Sequence, residues 1–260
     1  MSRPHEETRL HTRLLKCTLE LENSRIYWGL AGSGVALTAE QAFEEGWFGH
    51  RSLSRLHELL GDLRVRFDAF PSALQVLHGW KEMAPDTQRL ICHWHLQLAD
   101  PLYRHFTGSF RLDQLNYGRR TLSKQQLVRW LGEQTGERWA MSTRLQIASK
   151  LLSSAFAAGL IGSRRDPRPI TFPRVPEEAL SYLLYLLREV EISGTLLDNP
   201  YLASVGLVGE FLDDRLRGLP GLAFGRQGEL VDMGWRHSDL TTWADKNGVS
   251  LSPVEEAVAS

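Results

Sequence analysis

Apolar residues recur along most of this chain at the three-and-four spacing that hides one helix face from water, so helix is the element predicted over most of its length. In "SLSRLHELLGDLRVRF", Leu53, Leu56, Leu60 and Leu63 fall on one face. Just upstream, "LTAEQAFEEGW" offers Thr38 as N-cap with Gln41 at capping-box spacing. "SALQVLHGWKEM" predicts a helix closed by Gly79, and "DTQRLICHWHLQLADPLYRHF" one that starts at the cap Asp86 and is interrupted or kinked at Pro101. Farther on, "TLSKQQLVRWLGEQTG" reads as a helix capped by Ser123, with Leu127, Trp130 and Leu131 on its buried side and Gly132 and Gly136 marking its end. The turn "ERWAM", braced by Trp139, leads into a second helix, "TRLQIASKLLSSAFAAG", capped by Ser142. On that helix Leu145, Ala148, Leu152, Ala155 and Phe156 are expected to face a core. Thr143, Gln146, Lys150 and Ser153 recur on another face, with Arg144 beside them.

The helical period then breaks. In "GSRRDPRPITFPRV", Pro167, Pro169 and Pro173 forbid helix and favour an extended arm or edge ribbon, the form of a wing. Helix, turn, helix and wing form the helix-turn-helix plan. "PEEALSYLLYLLREVE" restarts the helical pattern with one broad apolar face, "NPYLASVGLVGEFLDDRLRGL" gives one or two helices, and "GLAFGRQGELVDMGW" alternates as a hairpin around "GRQG". The predicted fold is mainly α and multi-helical, with helix-turn-helix or winged-helix-like modules and short β wings. Its expected divisions are an N-terminal extension (1–24), an N-terminal helical domain (25–118), a basic winged-helix-like module (119–175), an acidic helical module with a β-hairpin (176–250) and a flexible tail (251–260).

Composition narrows the classes. With 260 residues, 42% of them hydrophobic, the chain can bury a substantial core. Two distant cysteines, Cys17 and Cys92, provide neither a disulfide framework nor a four-cysteine zinc site, and a reducing cytoplasm is the expected compartment. The charged start carries no secretory-signal pattern and no long apolar run occurs, so no membrane association is expected. The net charge of −1 hides segregation: residues 104–168 carry twelve Lys and Arg against four acids, whereas residues 176–260 carry six against fourteen. A polyanion is therefore sought in the middle of the chain. At this stage it stays open whether the two segments neutralise each other inside the fold.

The candidate chemistry follows the charge. Arg119, Arg120, Lys124, Thr143, Arg144, Gln146, Lys150, Arg164, Arg165, Arg168 and Arg174 form a candidate DNA-binding set. Arginines of the wing would neutralise phosphates or enter a minor groove, while Arg144 and Gln146 offer guanine and adenine readout from the second helix. The corresponding helix of the acidic module carries Glu210, Asp213 and Asp214, which repel DNA and point to packing or partner binding. Enzymatic alternatives are weaker. In "CHWHLQLAD", His93 and His95 are two residues apart and diverge on a helix, and Cys92 with His95 lacks an identified third ligand. "GLAGSG" at 29–34 lacks the lysine-containing end of a phosphate loop and reads as a flexible turn. The eight tryptophans sit mostly at core positions, so single-strand stacking is not favoured. A non-enzyme without metal or cofactor is expected.

The stretches "ALTAEQAFEEGWFGHRSLSRLHELLGDLRVRF", "ICHWHLQLADPLYRHF" and "STRLQIASKLLSSAFAAGLIGS", with the proline-bearing arm, resemble the BrxA family of bacterial BREX phage-resistance systems. The similarity spans about residues 25–190. The chain departs from the shorter family pattern in its N-terminal extension and in the acidic region after residue 195. The resemblance implies a small, largely helical protein that binds double-stranded DNA in host defence, with a methyltransferase or an AAA+ ATPase among its partners. Two alternatives stand beside it: a structural adaptor whose modules bind proteins, and an RNA-binding protein. A homo-oligomer is also open, although no long heptad specifies one.

Overall fold

A computed structural model describes residues 3–32 and 37–249. The tail expected at 251–260 lies outside the described residues, as does the end of "GLAGSG"; the first three residues of that stretch close a helix. An arm over residues 3–20, with one 3-10 turn at Arg13–Leu15, leads into α1 (Leu21–Ala31), α2 (Ala39–Glu44), α3 (Leu53–Phe67), α4 (Pro71–Gly79) and α5 (Pro85–Ala99). Next, α6 (Pro101–His105) and α7 (Arg111–Asn116) are joined by a π-helical turn, Phe106–Phe110. After them come β1 (Thr121–Leu122), α8 (Lys124–Thr135), α9 (Met141–Ala157) and β2 (Arg168–Pro169). The chain continues through α10 (Glu177–Glu189), α11 (Pro200–Ser204), α12 (Gly209–Arg217), β3 (Leu222–Gln227), β4 (Leu230–Trp235) and α13 (Leu240–Lys246). The fold is mainly helical, as the periodicity predicts, with two small antiparallel sheets among the described residues.

Local chemistry sets many of these boundaries. Thr38 and Ser52 accept the backbone N–H three residues on, and Ser123 and Gln126 form a reciprocal capping box. Asp86 is not the cap of α5. Ala84 is, because Pro85 supplies a preset φ for the first turn, and Asp86 inside that turn pairs with Arg89 at 2.9 Å. The β3–β4 turn is tighter than the expected "GRQG" loop: Gln227 pairs with Leu230, leaving Gly228-Glu229 as a two-residue connection with Gly228 at φ 60°.

The core centres on two helices buried almost all round, α5 from Leu90 to Ala99 and α10 from Ala179 to Leu187. They pack together, and α13 covers α4 and α10 through Trp243, which meets Trp80 at 5.8 Å and Tyr185 at 6.0 Å. Leu53, expected on the buried face of α3, is exposed at the first helical position, and Leu59 joins Leu56, Leu60 and Leu63 in the core instead.

The two histidines inside this core have partners on both ring nitrogens. The ring nitrogens of His93 lie 2.9 Å from the Tyr103 hydroxyl and 2.8 Å from Ser204 Oγ. Those of His95 lie 2.9 Å from the Arg66 carbonyl and 2.8 Å from the Tyr182 hydroxyl. Burial pushes the two imidazoles down to about 3 and about 4, so both are neutral. With all four nitrogens engaged, the "CHWH" stretch is a set of cross-links between α5 and its neighbours.

The N-terminal arm is equally integrated. Glu6 N–H donates to the Glu191 carbonyl and Glu191 N–H to the Pro4 carbonyl, at 3.1 and 2.8 Å. The buried Glu6 carboxylate accepts from the Tyr201 hydroxyl at 2.5 Å and from Ser193 N–H at 3.1 Å, beside Arg104 Nε at 3.5 Å. Among the described residues, no helix is long and apolar enough to cross a membrane.

Candidate nucleic-acid interface

The segment from α7 to β2 has the element order of a winged helix. β1 pairs antiparallel with β2, Thr121 opposite Pro169 and Leu122 opposite Arg168. On the other side Ile161 bridges Ile170, and Thr171 N–H donates to the Leu160 carbonyl at 3.0 Å. Residues 168–171 are thus the middle of three short extended runs, and the loop 163–167 between two of them is the wing. Pro167 falls in the wing and Pro169 in its return strand, while Pro173 lies just beyond that strand.

The wing is closed by its own chemistry. Asp166 accepts the Lys124 backbone N–H at 3.0 Å, which ties the wing to the start of α8, and it forms an ion pair with Arg168. Arg168 also donates to the Arg164 carbonyl at 2.9 Å. Ser163 Oγ accepts Arg165 N–H at 3.0 Å. The one acid of the wing is consumed internally, while the Arg164 guanidinium lies over the Phe156 ring of α9 at 4.9 Å and Arg165 points to solvent.

Helix α9 presents a different face from the one its pattern predicts. Its cap is Ala140, with no side-chain hydrogen bond, and Ser142 lies inside the first turn. Ile147, Ala148, Leu151, Leu152 and Ala155 are buried, whereas Leu145 is 41% exposed and Phe156 half-buried. The phase shifts because α9 packs both on α8 and on the Arg13–Leu15 turn, which draws Ile147 and Leu151 inward. The solvent face is Ser142, Leu145, Gln146, Ser149 and Ser153, at helical spacing, with Met141 60% exposed at its start. Thr143, Arg144 and Lys150 flank it, half-buried. Trp139 is buried in the turn, as expected of a brace.

The candidate residues therefore divide. Arg120, Lys124, Arg164, Arg165 and Arg168 gather around β1, β2 and the wing, and Thr143, Gln146 and Lys150 border the open face of α9. Arg119 lies at the entrance to β1 and donates to Gln114 at 2.9 Å. Arg144 turns back to the Gly136 carbonyl at the end of α8, away from any groove. Arg174 lies apart from the wing, lining a cavity of about 540 Å³ with Arg215, Glu177 and Trp243.

Two supports escaped the sequence reading. Arg111 of α7 is fully buried, has no carboxylate partner among the described residues, and donates to the carbonyls of Leu160 at 3.2 Å, Thr171 at 2.8 Å and Ser204. It fixes both flanks of the wing and attaches them to α11. Burial lowers its pKa to about 10. Nothing in the sequence distinguishes it from the surface arginines around it. Asp166 is the other; its place between Arg165 and Pro167 in a basic loop was the available signal.

No family model matches the chain, and no curated protein matches it significantly. A solved structure, of an uncharacterized protein from Magnetospirillum magneticum, is similar at a TM-score of 0.56 with 21% identity, covering 70% of this chain and 98% of that one. At that identity the likeness concerns the fold alone.

Proposed function

We propose that this chain is a non-catalytic protein that binds double-stranded DNA through α9 and the basic wing, mainly by phosphate contacts. On the sequence resemblance, its place is as a DNA-binding component of a bacterial anti-phage, BREX-like system. The observation that carries the reading is the state of the cations. Of the cations around α9 and the wing, Arg119, Arg120, Lys124, Lys150, Arg164, Arg165 and Arg168, Arg168 alone has a carboxylate partner among the described residues. Unpaired cations on a winged helix release counterions when they meet phosphates, and that release supplies most of the affinity. The uncapped start of α9 adds backbone donors for a phosphate. Gln146 offers bidentate readout of adenine, and Leu145 beside it suits a thymine methyl.

The test is a salt titration on random duplex DNA. Because Arg168 is committed to Asp166, the informative variant is Arg164→Ala with Arg165→Ala. Its log–log salt slope should be shallower than that of the parent chain by about two units. An unchanged slope removes the wing from the interface, and no binding by the parent at low salt rejects the reading.

The adaptor reading also has an observation in its favour, the exposed Met141 and Leu145 on the α9 face. Capture of a protein that survives nuclease treatment, with no affinity for duplex, would select it. Preference for folded RNA in competition with duplex would move the same face to RNA.

A further inference from the structure

The C-terminal segment repeats part of the basic module's element order, three helices and then a wing: α10, α11 and α12 followed by the β3–β4 hairpin, with no counterpart of β1 among the described residues. α12 stands where α9 stands, as the third helix before the wing, and β3 packs on it. Arg226 of β3 reaches Asp213 of α12 at 2.8 Å, so helix and hairpin form one body. Its solvent side is apolar and acidic. Val208 and Phe211, three residues apart at the start of α12, are 52% and 57% exposed, and Leu230 at the hairpin tip is 78% exposed. Glu210, Glu229 and Asp232 are exposed there, and none has a cationic partner among the described residues.

The first module mirrors this surface with the opposite sign. Met141 and Leu145 are exposed at the start of α9, Lys150 lies farther along it, and Arg164 and Arg165 stand in the wing near its far end, where Arg164 covers Phe156; among the described residues none of these three cations has an acidic partner. The two charged segments do not cancel each other within one molecule. Among the described residues, no ion pair joins a base of 104–168 to an acid of 176–249: Arg104 pairs with Glu6, Arg168 with Asp166, and the acids Asp213 and Asp214 pair with Arg226 and Arg217 of their own module. Each molecule thus carries two faces of opposite charge with exposed apolar residues on both, and among the described residues no ion pair matches one charge to the other.

We propose that the occupant of the acidic face of α12 and its hairpin is the basic face of α9 and its wing on a second copy of this chain. The contact is head-to-tail, joining two different surfaces, so it builds rings or short filaments according to the rotation between neighbours. The exposed apolar residues supply burial, and the charges give register and salt sensitivity. This association does not depend on whether the basic face also binds DNA.

Sedimentation of the full, nuclease-treated chain over a range of concentrations tests it. At low salt the average mass should rise with concentration above the monomer value, and in half-molar salt it should fall back. Phe211→Ala should weaken association by about tenfold or more. Arg164→Glu with Arg165→Glu should abolish it, and so should Glu210→Lys with Glu229→Lys, because each leaves two like-charged faces. The chain carrying all four changes, and an equal mixture of the two double variants, should associate again. These positions are on the surface, and circular dichroism checks that each variant folds. A monomer at every low-salt concentration overturns the proposal, as does an oligomer indifferent to both reversals, or a fourfold variant that fails to recover.

Discussion

The two helix-and-wing segments, α7 to β2 and α10 to β4, differ more in the charge they leave outward than in their order of elements. In the first, the loop after the third helix closes on a three-run ladder, its acid is spent on Lys124 and Arg168, and Arg164 and Arg165 are left outward. In the second, the hairpin is longer, Arg226 is spent on Asp213, and acids are left outward. One plan thus gives two surfaces of opposite sign: each internal ion pair removes one acid and one base, and what remains outward is basic in one wing and acidic in the other. Shape alone does not make a DNA reader; the charge left over decides what the third helix can meet.

Arg111 joins the two modules, and removing it should have the largest effect. Its guanidinium serves two carbonyls of the first module and the Ser204 carbonyl of the second, all in the core. Arg111→Met fills much of the space but abandons these acceptors, and should cost about 3 kcal/mol or more in urea unfolding. Arg111→Lys should recover little, since an ammonium lacks the fork that spans separate acceptors. A loss below about 1 kcal/mol would mean that the modules are held together elsewhere.

Acid should loosen the second module from α5. His93 and His95 attach α5 to Ser204 and Tyr182 of the second module. Folding depresses both imidazoles from the ordinary 6.5, to about 3 and about 4, so below about pH 6.5 the unfolded chain takes up protons that the folded chain refuses. Their contribution is complete above that pH and declines progressively as pH falls toward the folded values. Urea midpoints measured from about pH 7 down to about pH 5 should fall, and His95→Gln should flatten the fall relative to the parent. Parallel slopes for the two chains would show that His95 is not a source of the acid sensitivity.

Much of this was legible in the sequence, for identifiable reasons. Helices announced by caps and by wide apolar faces were found, because those signals are local; the cap Ser123 is one, and the run from Ala179 to Leu187 another. The prolines located the wing. The phase of α9 was misjudged because its buried face is set by two partners, one of them the distant Arg13–Leu15 turn. The arm was read as an extension, since nothing local shows that Glu6 reaches Tyr201, Ser193 and Arg104. Within the basic set, spacing reported which residues are charged; it could not report that Arg168 is neutralised, Arg144 turned inward and Arg174 placed at another cavity.

Arg144 gives the smallest and most discriminating test of the comparison. Each third helix returns one arginine to the scaffold: Arg144 donates to the Gly136 carbonyl, and Arg215 of α12 to the Val175 carbonyl at 2.7 Å. If the likeness is structural, Arg144→Ala and Arg215→Ala should each cost about 1 kcal/mol of stability. Both should leave the DNA salt slope unchanged, since neither guanidinium faces the open side of its helix. A phosphate contact by Arg144 predicts instead a slope shallower by about one unit with little change in stability. Measuring both quantities on both variants separates the alternatives. A slope change confined to Arg144→Ala would mean that its side chain leaves Gly136 when DNA arrives, and the two third helices would then differ in what their arginines do as well as in charge.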